Sequence, residues 1–103
     1  MKAAVYYGPN KITVDDVAVP EPGPGTVQIQ VGYNGICGTD LHILNGDVPE
    51  VQPGRILGHE AVGTVTAIGS GVHRVAVGDR VLVSCISACG SCRYCRVGSY
   101  GQC

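Results

Sequence analysis

Long runs of like charge and long apolar segments are both missing from this 103-residue chain. No charge run exceeds Asp15-Asp16 and the formal net charge is −1, so nothing favours nucleic acid or a charged membrane surface as a partner. No apolar run approaches the roughly 20 residues that a membrane span needs. The first apolar stretch breaks at Gly8-Pro9, too early for a signal peptide. We therefore expect a cytoplasmic protein without nucleic-acid or membrane partners.

Leucine is also scarce, with 4 residues against 16 valines and 7 isoleucines, which favours strands over helices. The 16 glycines are roughly twice the ordinary usage of about 7% and indicate short strands joined by tight turns. A chain of this length can build one core but not a second, nucleotide-binding domain. The sequence predicts a single, mainly β unit.

The clearest strand signal is residues 26–33, where Val27, Ile29, Val31 and Tyr33 alternate with polar residues. This pattern predicts a half-buried strand with one wet face. Residues 40–45 predict a short helical turn capped by Thr39 or Asp40. Further strands are predicted at 2–7, 11–19, 61–68 and 80–83.

Two short segments carry the side chains of a candidate metal site. One runs from Cys37 to His42 and the other from Gly58 to Glu60, and a connection rich in glycine and proline can fold one back on the other. Sulfur, imidazole nitrogen and carboxylate oxygen are ordinary zinc ligands, and catalytic zinc takes three of them plus water or substrate. Cys37, His59 and Glu60 are the candidates. The alternative interpretations are that Cys37 is a buried structural thiol and that His59 is a core histidine.

The last segment carries four cysteines in the spacing C-x2-C-x2-C-x7-C, formed by Cys89, Cys92, Cys95 and Cys103. A segment of about 20 residues buries too little surface to fold alone. A structural zinc supplies roughly 10–16 kcal/mol of apparent binding energy, which rivals the stability of a whole domain, about 5–15 kcal/mol. A tetrahedral zinc site is therefore predicted, with an iron–sulfur cluster or disulfides as alternatives. Cys85 is out of step with this spacing and is predicted to be a buried thiol, whereas His73 lies in a polar turn and is predicted to be solvated.

Together these motifs closely resemble the zinc-dependent medium-chain alcohol dehydrogenases, most of all the alcohol, threonine and sorbitol dehydrogenase branch. The resemblance rests on Ile36–His42, Pro53–Glu60, Val77–Val81 and the four-cysteine segment. It implies an incomplete GroES-like β-barrel at residues 1–84 and a structural zinc lobe at residues 85–103, with no Rossmann domain in this chain.

The resemblance also implies roles for individual residues. Cys37, His59 and Glu60 match the catalytic zinc site, and Asp40 matches a carboxylate that orients the liganding histidine. Thr39 and His42 match a proton relay. Cys89, Cys92, Cys95 and Cys103 match the structural zinc ligands. The implied reaction is oxidation of a small alcohol to an aldehyde or ketone, through a zinc alkoxide and hydride transfer to NAD or NADP.

The resemblance also implies a cofactor domain and a further catalytic zinc ligand, and neither is found among these 103 residues. We therefore expect the isolated chain to lack dehydrogenase activity, and its unpaired strand edges favour a homo-oligomer. Two other functions remain open: a zinc-binding structural or interaction module without chemistry, and a small electron carrier that holds iron on the four cysteines.

Overall fold

The computed structural model describes residues 1–103 and contains two antiparallel sheets of three strands each. The strands are β1 (Lys2–Gly8), β2 (Lys11–Asp16), β3 (Val27–Asn34), β4 (Arg55–Ile56), β5 (Ala61–Ile68) and β6 (Arg80–Leu82). The helices are α1 (Gly38–Asn45), α2 (Arg93–Arg96) and a 3-10 turn at Tyr100–Gln102. The predicted mainly β architecture is confirmed. None of the helices is long and apolar enough to cross a membrane.

The first sheet has the strand order β2-β1-β4 and grows from the hairpin formed by β1 and β2. Asn10 adopts a left-handed conformation in its turn, with φ of 59°, which asparagine tolerates better than most residues. The strand predicted at 11–19 ends earlier, at Asp16. Beyond Asp16 the pairing continues for one residue: the Val17 amide donates to the Met1 carbonyl at 2.9 Å, and the terminal amino group of Met1 donates to the Val17 carbonyl at 2.7 Å.

The second sheet has the order β3-β5-β6, with Asn34 opposite Ala61. The strand predicted at 26–33 is present, but the prediction that its apolar face is covered is wrong. Val31 is 47% exposed and Tyr33 is 81% exposed, and only Ile29 of this face is half-buried. Alternation establishes which residues share a face of a strand. It does not establish that another layer packs on that face.

Burial is limited to seven of the 103 residues, and none of them is polar. They lie mainly on β1 and β5 and are Ala3, Val5, Tyr6, Ile43, Ala61, Val65 and Cys95. Cys95 is the one buried residue of the lobe at 85–103. Cys85, predicted to be buried, is exposed, because the segment that carries it lies outside both sheets. His73 is exposed, as expected.

Helix α1 begins two residues before the predicted helical turn, and Cys37 is its N-cap rather than Thr39 or Asp40. Asp40 is the third residue of the helix, and its Oδ2 accepts a hydrogen bond from the Cys37 amide at 2.9 Å. This bond satisfies an amide at the helix start that has no helical partner. The helix ends at Gly46, which is left-handed with φ of 87°.

We predict that Gly63→Ala destabilises the protein by about 1–3 kcal/mol, the cost typical of overpacking. A Cβ at Gly63 would collide with the backbone carbonyl of Gln30 on β3, so the β3–β5 pairing would have to shift. Gly32→Ala is the matched control, since its Cβ would lie 3.7 Å from the Val62 carbonyl oxygen, an ordinary contact. Urea unfolding of both variants provides the measurement, and equal midpoints would contradict the prediction.

Candidate metal centres

The pairing of β3 with β5 brings the two metal-binding segments together. Asn34 at the end of β3 lies opposite Ala61 at the start of β5, and the Gly35 amide donates to the Glu60 carbonyl at 2.9 Å. Cys37 follows β3 by three residues, and His59 precedes β5 by two. An antiparallel register therefore places side by side two segments that are more than 20 residues apart in sequence.

Cys37, His59 and Glu60 each direct one potential ligand atom into the same small volume. The cysteine sulfur, one imidazole nitrogen and one carboxylate oxygen lie within 4.8 Å of one another. Cys37 and His59 are half-buried, whereas Glu60 is exposed. This donor set and spacing can hold one zinc ion, with room for a further ligand.

Two glycines, Gly35 and Gly58, shape this cluster, and only Gly35 lies outside the two segments that the sequence predicted to form it. A Cβ at Gly35 would lie 2.5 Å from Glu60 Oε2, so the absence of a side chain leaves room for the carboxylate. Gly58 has a φ of 113°, and a Cβ there would lie 2.9 Å from Asn34 Nδ2. Such requirements depend on contacts across the β3–β5 pair and leave no signal in local sequence.

Asp40 approaches the cluster from helix α1. Its Oδ1 lies 3.6 Å from His59 Nδ1, is buried, and has no hydrogen-bond partner. An unpaired buried oxygen costs about 1–3 kcal/mol. A metal on the other nitrogen of His59 would leave the proton on Nδ1, where it faces this oxygen. Asp40 Oδ1 is thus placed to accept the Nδ1 proton of a metal-bound His59. Cys37, His59 and Glu60 therefore fit a zinc ion.

The pKa values of Cys37 and His59 move in opposite directions. Hydrogen bonds from the Thr39 amide and then from His59 lower the pKa of the Cys37 thiol. The hydrogen bond with Cys37 raises the pKa of His59, against the opposing effect of burial. The Thr39 hydroxyl also lies 3.7 Å from the Cys37 sulfur. The surroundings of Cys37 favour the thiolate, which is the form that binds metal.

The second cluster consists of the four lobe cysteines, whose sulfur atoms all lie within 4.8 Å of one another. The sulfur of Cys95 is 3.6 Å from that of Cys92 and 4.0 Å from that of Cys89. Zinc–sulfur bonds of about 2.3 Å in a tetrahedron place sulfur atoms about 3.8 Å apart. The cluster has the dimensions of a four-thiolate zinc site and contains no disulfide.

The sulfur atoms of the lobe are surrounded by hydrogen-bond donors. The Ser91 hydroxyl is 3.5 Å from the Cys89 sulfur, and it is the main reason that the pKa of Cys89 falls to about 5. The Cys89 amide in turn donates to the Cys103 sulfur at 3.4 Å. Burial raises the pKa of Cys95 to about 11. Hydrogen bonds thus favour the thiolate at Cys89, whereas at the buried Cys95 a metal ion would have to displace the proton.

His42 lies outside both clusters. It is on α1, three residues after Thr39 and therefore on the same helix face. Its Nδ1 is 3.1 Å from Asp47 Oδ2, and both side chains are largely exposed. Asp47 was not among the residues predicted from sequence.

Comparison with known proteins decides the family. Residues 23–103 match the family model of the alcohol dehydrogenase GroES-like domain. The chain belongs to this family. The zinc-dependent alcohol dehydrogenase 2 from Streptococcus pneumonia, solved in its apo form, superposes on the chain with a TM-score of 0.94 at 47% identity. That match covers 100% of this chain and 30% of the other. The resemblance found in the sequence and the GroES-like fold are confirmed.

Two further relatives agree with this assignment to the GroES-like domain of alcohol dehydrogenases. The L-threonine 3-dehydrogenase of Pyrococcus horikoshii is 44% identical over 106 residues, which cover the whole chain and 30% of the relative. Acetophenone reductase from Geotrichum candidum, solved in complex with NAD, has a TM-score of 0.88 at 39% identity, covering 99% of this chain and 30% of its own. The chain thus corresponds to about the N-terminal 30% of the relatives that it matches.

We predict that Cys92→Ser removes the metal of the lobe, because a hydroxyl replaces one of four thiolates. Removing the metal also removes the energy that orders the lobe. The protein should lose about one zinc per chain, measured by elemental analysis after purification without added metal. Cys85→Ser is the matched control, since Cys85 is outside the cluster. An unchanged zinc content in Cys92→Ser would contradict the assignment.

Proposed function

We propose that this chain is the zinc-binding N-terminal part of an NAD(P)-dependent alcohol dehydrogenase, which oxidises a small alcohol to an aldehyde or ketone. The observation that carries the proposal is the convergence of Cys37, His59 and Glu60 within 4.8 Å, next to the Thr39 hydroxyl. The relatives include a zinc-dependent alcohol dehydrogenase and a reductase solved in complex with NAD, and both support the same chemistry.

The chain's own residues bind and orient at the catalytic site. Zinc bound there would act as a Lewis acid and lower the pKa of a hydroxyl that approaches it. Cys37 and His59 would be its half-buried ligands, while Asp40 would hold the proton of His59 on Nδ1. Glu60, which is exposed and has room beside Gly35, would be the third and more mobile ligand.

The same surface offers a path for the substrate proton. The Thr39 hydroxyl can accept the proton of the substrate alcohol and donate its own at the same time. His42, one helical turn further along α1, is largely exposed, so its imidazole can receive a proton and pass it to solvent. Thr39 and His42 would therefore form a relay. NAD or NADP would take the hydride, and no residue of this chain is assigned to its binding.

The lobe at residues 85–103 would have a structural role. Its four thiolates would occupy all four positions of a zinc ion, which leaves no position for substrate. The barrel at residues 1–84 would carry the catalytic half-site. Since the chain spans about 30% of its relatives, we expect the isolated chain to be inactive. Its open strand edges favour a homo-oligomer.

A non-catalytic zinc-binding module is the second candidate function. The four-cysteine cluster favours it, because that cluster is complete within this chain, whereas the catalytic set ends on an exposed Glu60. Under this alternative the lobe alone would hold metal.

Metal content separates the two candidates. We expect about two zinc ions per chain and about one in Cys37→Ala, because this change removes a half-buried thiolate from the first cluster. Cys85→Ala is the control and should keep both ions. About one zinc in the unmodified chain would favour the module, and none would refute both candidates.

Activity can be tested in a chimera in which this chain replaces the matching 30% of the Streptococcus pneumonia enzyme. We expect the chimera to reduce NAD or NADP in the presence of alcohols, as followed by absorbance. Thr39→Val should lower kcat by roughly 10²–10⁴-fold, the usual contribution of proton transfer. Thr64→Val, at an exposed position of β5, is the control. A zinc-loaded but inactive chimera would argue against the enzyme.

A further inference from the structure

We propose that Asp47 is a positioning residue for His42: it holds the imidazole proton on Nδ1 and leaves Nε2 free to receive the substrate proton. This inference rests on the proposed function, because it concerns the relay of the same site. It is carried by the hydrogen bonds that link Asp47 to His42 and by the turn that places Asp47 there.

Asp47 contacts His42 at two points. Its Oδ2 lies 3.1 Å from Nδ1 of the ring, and its backbone amide donates to the His42 carbonyl at 2.9 Å. The second bond fixes the backbone of Asp47 relative to the residue whose side chain it meets. The two side chains therefore face each other because of the helix ending, not through a chance contact of two flexible surface groups.

The turn that makes this possible is itself fixed from two sides. Gly46 has a φ of 87°, and a Cβ on it would lie 2.9 Å from Pro9 Cγ in the β1–β2 turn. The Asn10 amide of the same turn donates to the Leu44 carbonyl at 2.7 Å. The hairpin thus holds the last turn of α1, and glycine suits both the left-handed conformation and the close approach to Pro9. Asp47 leaves this turn in a defined direction.

The bond between Asp47 and His42 matters for protonation more than for stability. Both side chains are more than half exposed, and exposed pairs contribute little to folding. A neutral imidazole carries one N–H, and an ionised carboxylate can only accept. Asp47 therefore retains the N–H on Nδ1, and the lone pair is on Nε2. The same logic orients the histidine of a serine protease triad.

The proton balance of the relay follows from this arrangement. Thr39 Oγ1 takes the substrate proton and releases its own. Residues three apart on a helix have Cβ atoms about 5–6 Å apart, so a water or another hydroxyl must bridge Thr39 and His42. The proton arrives at Nε2, and the imidazolium is neutralised by Asp47 until Nε2 releases the proton to solvent. No oxidant or reductant is consumed in these steps.

The direct test is the tautomer of His42. The zinc-loaded 103-residue chain, labelled with ¹⁵N-histidine, contains three histidines, which keeps the assignment simple. At a pH where the ring is neutral, we expect the ¹⁵N shifts of His42 to report N–H on Nδ1. Asp47→Ala should move the proton to Nε2. Asp47→Asn should largely retain it on Nδ1, since the amide oxygen still accepts. Glu50→Ala, which removes an exposed carboxylate three residues away, is the control.

The kinetic test uses the chimera described above. Asp47→Ala should lower kcat about fivefold with little change in KM, the effect expected from an exposed pair, and Glu50→Ala should leave both unchanged. A wild-type His42 protonated on Nε2, or a tautomer insensitive to Asp47→Ala, would overturn the proposal. So would an unchanged kcat in an active chimera. An inactive unmodified chimera would instead refute the proposed function, while the ¹⁵N shifts would still report on the pair itself.

Discussion

The antiparallel pairing of β3 with β5 is the constraint on which the candidate catalytic site depends. It sets Asn34 opposite Ala61, and this register continues into the bond between the Gly35 amide and the Glu60 carbonyl. Since the period of a strand is two residues, a slip of one residue would turn His59 and Glu60 to the opposite faces. Gly63 opposes such a slip, because the backbone of Gln30 lies where a Cβ on Gly63 would be. A slip of one residue would bring Val62 or Thr64 to this place, and its side chain would collide with β3.

A second level of organisation comes from helix α1, which begins at the metal cluster and ends beneath the proposed relay. Cys37 is the N-cap of the helix and also contributes its sulfur to the cluster with His59 and Glu60, so the position of the helix start fixes the position of this sulfur. Asp40 binds the Cys37 amide with one oxygen and faces His59 with the other. At the other end, Gly46 returns the chain so that Asp47 meets His42. One short helix thus orients residues at both ends of the proposed proton relay.

The sheets and the four-cysteine lobe differ in how much apolar surface they bury. The sheets bury a small group of residues along β1 and β5, whereas the lobe buries Cys95 alone. Apolar side chains such as Tyr33 and Leu82 remain 81% and 78% exposed on β3 and β6. Apolar area gives about 25 cal/mol per Å² only when it is removed from water, so these faces contribute little as they stand. The lobe has the sulfur geometry to depend on metal instead.

Features that arise from short-range spacing could be predicted from the order of the residues alone. The cysteine pattern from Cys89 to Cys103 predicted a cluster that the fold does assemble, and the alternation at 26–33 predicted β3. Tertiary structure decided what depends on residues far apart: that β3 pairs with β5, that the Tyr33 face lies open, and that Cys85 is exposed. It also decided the contact of Asp47 with His42, at a helix end that lies against Pro9 of the β1–β2 turn. The physical reason is that local spacing fixes which side chains share a turn or a strand face, whereas contact between distant segments is chosen by the packing of the whole chain.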